Sequence, residues 1–123
     1  MLSTARIVAF VATAHPDRAR HFYVETLGLP LLADDPFALV FDANGVMLRV
    51  QKVAALASAP HTVLGWNVPD VRAAVEALAA KGVVFERFGG MPQDALGIWT
   101  SPGGASVAWF KDPDGNLLSL TQP

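Results

Sequence analysis

The stretch Trp109-Phe110-Lys111-Asp112-Pro113-Asp114-Gly115-Asn116-Leu117-Leu118-Ser119-Leu120-Thr121-Gln122 decides how this chain is read. Asp-Pro-Asp-Gly-Asn between two apolar runs is a turn between strands. Pro113 fixes one φ angle, and Gly115 supplies the positive φ of a tight turn. The chain therefore closes in a β-hairpin. Its last strand alternates, with Leu118 and Leu120 on one face and Leu117, Ser119 and Thr121 on the other. Asp112 and Asp114 belong to the turn and are not a catalytic carboxylate pair.

Working back from this hairpin, the elements fall into a repeat. Ile7 to Ala12 reads as a buried strand. Pro16 and Asp17 open a helix after His15, Ala19, Phe22, Tyr23, Thr26 and Leu27 recur at helical spacing, and Gly28 stops it. Leu29 to Ala33, Phe37 to Asp42 and Val46 to Lys52 read as strands, the last two joined by the Asn44-Gly45 turn. Val53 to Pro60 is a linker. The order then restarts: His61 to Val68 is a strand, and Pro69-Asp70 opens a helix with Val71, Ala74, Val75, Leu78 and Ala79 on one face. Gly82 closes that helix, and Val83 to Phe88, Ile98 to Ser101, Ala105 to Lys111 and Leu117 to Gln122 supply strands. The pattern is a single α+β domain over 1–123 with two βαβββ modules, about 5–52 and 61–122, and a linker at about 53–60.

Composition narrows the function. The 123 residues suit one domain, and the net charge of −2 with no basic run excludes nucleic acid as a partner. There is no cysteine, so disulfides, thiolate metal sites and cysteine nucleophiles are excluded. No run is apolar for a membrane span, no secretory leader pattern opens the chain, and a cytoplasmic protein is the expectation. The hydrophobic fraction is 52% and the mean hydropathy +0.36, which fits a homodimer interface or a lined cavity beyond the core, or simply a core rich in Ala and Val.

The segments His21-Phe22-Tyr23-Val24-Glu25-Thr26-Leu27-Gly28-Leu29, Asn67-Val68-Pro69-Asp70-Val71 and Asp112-Pro113-Asp114-Gly115-Asn116, in this order, resemble the vicinal oxygen chelate superfamily of glyoxalases, bleomycin-resistance proteins and extradiol dioxygenases. The resemblance covers essentially the whole chain. It implies two modules curled into an open, cup-shaped mixed sheet with helices outside. In similar enzymes four side chains, mostly His and Glu, hold a divalent metal, one from the first and one from the last strand of each module. Counted from the anchors, those positions fall at Val8, Arg49, Val63 and Ser119. Slipping by one residue brings no His or carboxylate to any of them. Divalent sites need several N or O donors at about 2.0–2.6 Å. The resemblance therefore implies the fold without the usual metal site, and no cofactor is expected.

Arg49 is the leading candidate for ligand contact. In Met47-Leu48-Arg49-Val50-Gln51, Leu48 and Val50 face the helix layer, while Met47, Arg49 and Gln51 face the cup. A guanidinium is a fixed fork of donors for carboxylate, phosphate or carbonyl oxygens; its bland role is a strand-edge charge in water or paired with Asp42 or Asp94. His61, two residues before Val63, is the one histidine near the cup, as a donor, acceptor or base, or simply a solvated strand end. Phe10 shares a face with Val8. Asn67 shares one with Val63 and Gly65, and Ser119 offers a hydroxyl but has no nucleophile elbow. Trp99 is a pocket wall or a dimer contact and is placed to pair with Trp109 across Pro102-Gly103-Gly104. Trp66 packs against the second helix. The loop Gly89-Gly90-Met91-Pro92-Gln93-Asp94 lacks the Lys-Ser/Thr of a phosphate loop and reads as a mobile flap or a plain surface loop.

The expected function is binding of a small organic molecule, anionic or aromatic, in the cup without a metal. Arg49, His61, Phe10, Met47, Gln51, Asn67, Trp99 and Ser119 are the ligand-binding set. The alternatives are a lyase, isomerase or dioxygenase using atypical metal ligands or metal-free acid/base chemistry at His61, with Arg49 stabilising an enolate-like charge, and a protein-interaction module.

Overall fold

A computed structural model describes residues 1–123 and divides the chain into two compact units, Met1–Ser58 and Ala59–Pro123. No helix is long and apolar enough to cross a membrane.

The first unit holds strand β1 (Val8–Thr13), helix α1 (Pro16–His21), and strands β2 (Leu31–Asp34), β3 (Ala38–Ala43) and β4 (Val46–Lys52). The sheet order is β1-β4-β3-β2, with β1 parallel to β4 and the other pairs antiparallel. A parallel outer pair requires a crossover, which α1 and the β2–β3 ribbon provide. Pro16 stands in the first turn of α1, and the helix runs on as a wider turn over Phe22–Thr26, with Leu27 N–H donating to the Phe22 carbonyl at 2.9 Å. This turn seats Tyr23, fully buried, against Phe41 with ring centres 5.7 Å apart. Leu39, Phe41, Leu48 and Val50 complete the core on the helix side of the sheet. The Asn44-Gly45 turn takes positive φ at both residues, 53° and 89°, as a two-residue hairpin requires.

The second unit repeats the plan with β5 (Thr62–Asn67), α2 (Val71–Ala80), β6 (Trp99–Thr100), β7 (Ser106–Lys111) and β8 (Leu117–Gln122) in the order β5-β8-β7-β6. Asp70 caps α2 by accepting from the Ala73 N–H at 3.1 Å, and Gln122 Oε1 accepts from Val71 N–H at 3.0 Å. Val71, Val75, Ala108, Phe110, Leu118 and Leu120 form the core beneath α2.

Two expected elements are corrected. The first strand, read as buried, leaves Val8 41% and Phe10 56% exposed on one face. Val83 to Phe88 is not a strand: only Phe85 bridges to Phe110 of β7, and the Glu86 N–H donates to the Trp109 carbonyl at 2.8 Å. The chain then leaves the edge of β7 and returns to it as β6, pairing Trp99 with Val107. The edge position is shared by two short pieces because Gly89-Gly90 and Pro92 interrupt the strand pattern. The final hairpin matches its sequence reading. The buried Asp112 carboxylate accepts from the Asp114 and Asn116 N–H groups and from Asn116 Nδ2, at 2.8–3.0 Å.

Candidate functional site

Each sheet has one face covered by its helix and one that its helix leaves free. In the first unit, β1 and β4 run in parallel with Phe10 opposite Arg49, Val8 opposite Met47 and Ala12 opposite Gln51. Alternation turns Leu48 and Val50 inward, so Phe10, Met47, Arg49 and Gln51 come together on the helix-free face. Phe10 is 56% exposed and Met47 43%. Arg49 is half-buried and makes no hydrogen bond or salt bridge within the chain. Neither of its two sequence-suggested partners engages it. Asp42 accepts from Gly45 N–H, and Asp94 pairs with Arg72 at 3.2 Å.

The Asp35 carboxyl lies below the usual carboxylate range. The Phe37 and Ala38 N–H groups that it accepts are the main causes, and the Arg49 and Lys52 charges lower it further. Arg49 thus acts on a nearby acid without being neutralised by it at contact distance. Near the Val8–Met47 end of this face is a cavity of about 260 Å³, lined by Ile7, Val8, Leu32 and Met47 with Arg6 and Asp42 among its polar neighbours.

In the second unit, Gly65 stands opposite Ser119, Asn67 opposite Thr121 and Trp109 opposite Ser119. Ser119, Asn67 and Trp99 therefore share the helix-free face. Trp66 pairs with buried Leu120, on the face that α2 covers. The indoles of Trp99 and Trp109 lie 6.2 Å apart, and Phe88 stacks edge-on against Trp109 at 5.4 Å. Phe88, read from the sequence as a strand end with a core-packing ring, is instead 36% exposed, and its contact with Trp109 spans 21 residues with no local period to mark it.

His61 precedes β5, with its ring exposed and its Nδ1 3.2 Å from the Thr62 carbonyl. The register shifts between Thr62 and Leu64, so strict alternation from Val63 does not carry back to His61.

The loop read as a mobile flap is cross-braced. Gln93 bonds to Phe88, Glu86 and Gly97, and the Arg87 guanidinium donates to the Asp94 and Ala95 carbonyls at 2.6 Å. Asp94 Oδ1 accepts from the Leu96 and Ile98 N–H groups.

Val8, Arg49, Val63 and Ser119, the positions that counting from the sequence anchors assigned to the metal ligands of similar enzymes, lie in β1, β4, β5 and β8. Two aliphatic chains, one cation and one hydroxyl do not fit a divalent ion. No group of three or more His, Cys, Asp or Glu side chains gathers elsewhere.

A family model, Glyoxalase/Bleomycin resistance protein/Dioxygenase superfamily, matches residues 5–120. No protein of curated function matches the sequence. Among solved structures, the fold is similar to that of a bleomycin-binding protein complexed with bleomycin, at 20% identity and TM-score 0.75, covering 98% of this chain and 99% of that one. It is similar to a bleomycin resistance determinant encoded on transposon Tn5, at 21% identity and TM-score 0.75, covering 97% and 98%. It is also similar to lactoylglutathione lyase from Agrobacterium tumefaciens, at 16% identity and TM-score 0.74, covering 97% and 93%.

Proposed function

Because the chain belongs to the glyoxalase/bleomycin resistance protein/dioxygenase superfamily, we propose that it binds a small organic molecule on its helix-free sheet faces without a resident divalent metal. Arg49 carries this reading. It is a half-buried guanidinium with no hydrogen bond or salt bridge in the chain, set beside the exposed Phe10 and Met47. A partly desolvated charge gains most from an anionic ligand group, and the guanidinium fork matches a carboxylate or phosphate edge. Phe10 and Met47 offer apolar surface beside that anchor, and Gln51 offers a neutral hydrogen bond on the same face; Ser119 and Asn67 offer neutral hydrogen bonds on the helix-free face of the second unit. The bleomycin-binding relative supports sequestration as the type of activity. Nothing in the chemistry of Arg49 selects that drug.

The reading is metal-free because of the donor set at Val8, Arg49, Val63 and Ser119, where an arginine would repel a cation. It includes a homodimer, supported by exposed Ile7, Leu32 and Phe37, and a cytoplasmic location, consistent with the absence of cysteine. Light scattering on the purified protein gives the oligomeric state directly, and a monomer at micromolar concentration removes the dimer from the account.

A thermal-shift screen of small carboxylates, aromatic compounds, antibiotics and divalent metals tests the function. A specific ligand at about 100 times its Kd stabilises the fold by about 2.7 kcal/mol. One tightly held Zn, Ni, Mn or Fe per chain in elemental analysis would contradict the reading.

A further inference from the structure

Gln93 sits where the long loop of the second unit leaves the sheet and comes back. Its Oε1 accepts from the Phe88 N–H at 2.8 Å, and its Nε2 donates to the Glu86 carbonyl at 2.9 Å and the Gly97 carbonyl at 2.8 Å. Both amide hydrogens and one carbonyl lone pair are thus engaged, which fixes the orientation of the side chain. Its backbone also bridges Trp99. One side chain therefore joins the departing residues 86 and 88 to the returning residue 97. The rings at the two ends of the loop, Phe88 and Trp99, both meet Trp109, at 5.4 and 6.2 Å.

We propose that Gln93 is a positioning residue that presets Phe88, Trp109 and Trp99 as a platform, and that this platform stacks an uncharged planar aromatic ring of the ligand. The inference rests on the small-molecule reading and gives it a ligand class. Charge decides for a ring over an anion here. Lys111 is drawn to Glu86 at 3.5 Å, Arg72 to Asp94 at 3.2 Å, and Arg87 is bound to two loop carbonyls. No uncommitted cation stands among these loop contacts, while Phe88 is 36% exposed and both indoles are half-buried. Preset rings lose little conformational freedom when a ligand ring arrives, so the contact favours flat rings over puckered ones of equal size.

The test is calorimetric titration of the whole protein with 2-naphthol and with its saturated counterpart, decahydro-2-naphthol. Both are neutral at pH 7. The wild type should bind 2-naphthol about tenfold more tightly. Gln93→Leu, matched in size, should reduce that preference to about twofold and weaken the Trp99–Trp109 exciton couplet in circular dichroism. Phe88→Leu keeps the backbone bonds of the loop and should reduce the preference while leaving the couplet. It carries the platform test if Gln93→Leu does not fold. Equal affinities of the wild type for the two probes would overturn the platform. A folded Gln93→Leu with full preference and an unchanged couplet would overturn the role of Gln93. Both results leave the Arg49 reading standing, because neither probe carries a charge. Loss of Arg49-dependent carboxylate binding alone would overturn that reading and not the platform.

Discussion

At the scale of single residues, Arg49 and Ser119 hold equivalent places in the two units. Arg49 pairs with Phe10 across β1 and β4, and Ser119 pairs with Gly65 across β5 and β8. Both places follow from counting along strands whose alternation is fixed by a buried face, so they were legible from the turn motifs. The reason for Gly65 was not legible. Its φ is not in the left-handed region, and the glycine is instead required by a close approach, since an added Cβ would collide with Ser119 Oγ. Gly65→Ala should therefore force the Ser119 hydroxyl into another rotamer, at about 1 kcal/mol in urea unfolding. The same change in a Ser119→Ala background should cost nothing measurable, and equal costs in the two backgrounds would show that the serine is not the obstacle.

At the scale of elements, Asp34 links three pieces of the first unit. It accepts from Lys52 of β4 at 2.6 Å and from Arg20 of α1 at 2.8 Å. The Lys52 hydrogen bond is the main cause that holds its carboxyl below the usual value of 3.8, with Arg20 adding to it, and Asp35 is lowered by its own N–H donors. A depressed carboxyl gives stability that is complete above the unfolded pKa and is lost as pH falls through the folded one. The urea midpoint should therefore drop below about pH 4, and Asp34→Asn should flatten that drop. An acid limb identical in Asp34→Asn and wild type would remove Asp34 from the explanation. In the second unit, Asp70→Ala removes the cap of α2 and should cost about 1 kcal/mol by the same measurement. Helix starts and hairpin turns were legible because Asp70, Asn44-Gly45 and Asp112–Asn116 act on their immediate neighbours. The 83–88 segment was misread because its apolar run, Val83 to Phe85, has strand composition while Gly89-Gly90 draws the chain off the edge of β7 after one bridge. The bracing by Gln93 was hidden for a related reason. Its partners are set by the path of the loop and not by a sequence period.

At the scale of the whole molecule, two units of the same strand order establish the fold, and the family match over residues 5–120 agrees with it. In the proposed reading the ligand chemistry is set by the repeated strand positions, where this chain carries an arginine and a serine, neither of which is a usual donor to a divalent metal. The most direct measurement is calorimetric titration of aromatic carboxylates such as benzoate and 2-naphthoate into wild-type protein and Arg49→Ala, in buffer containing EDTA. A charge-assisted contact worth about 1.5–3 kcal/mol predicts binding that persists in EDTA and weakens by roughly ten- to a hundredfold in Arg49→Ala. Binding that requires a divalent metal, affinities within about twofold in the two proteins, or no binding across the series would contradict the account.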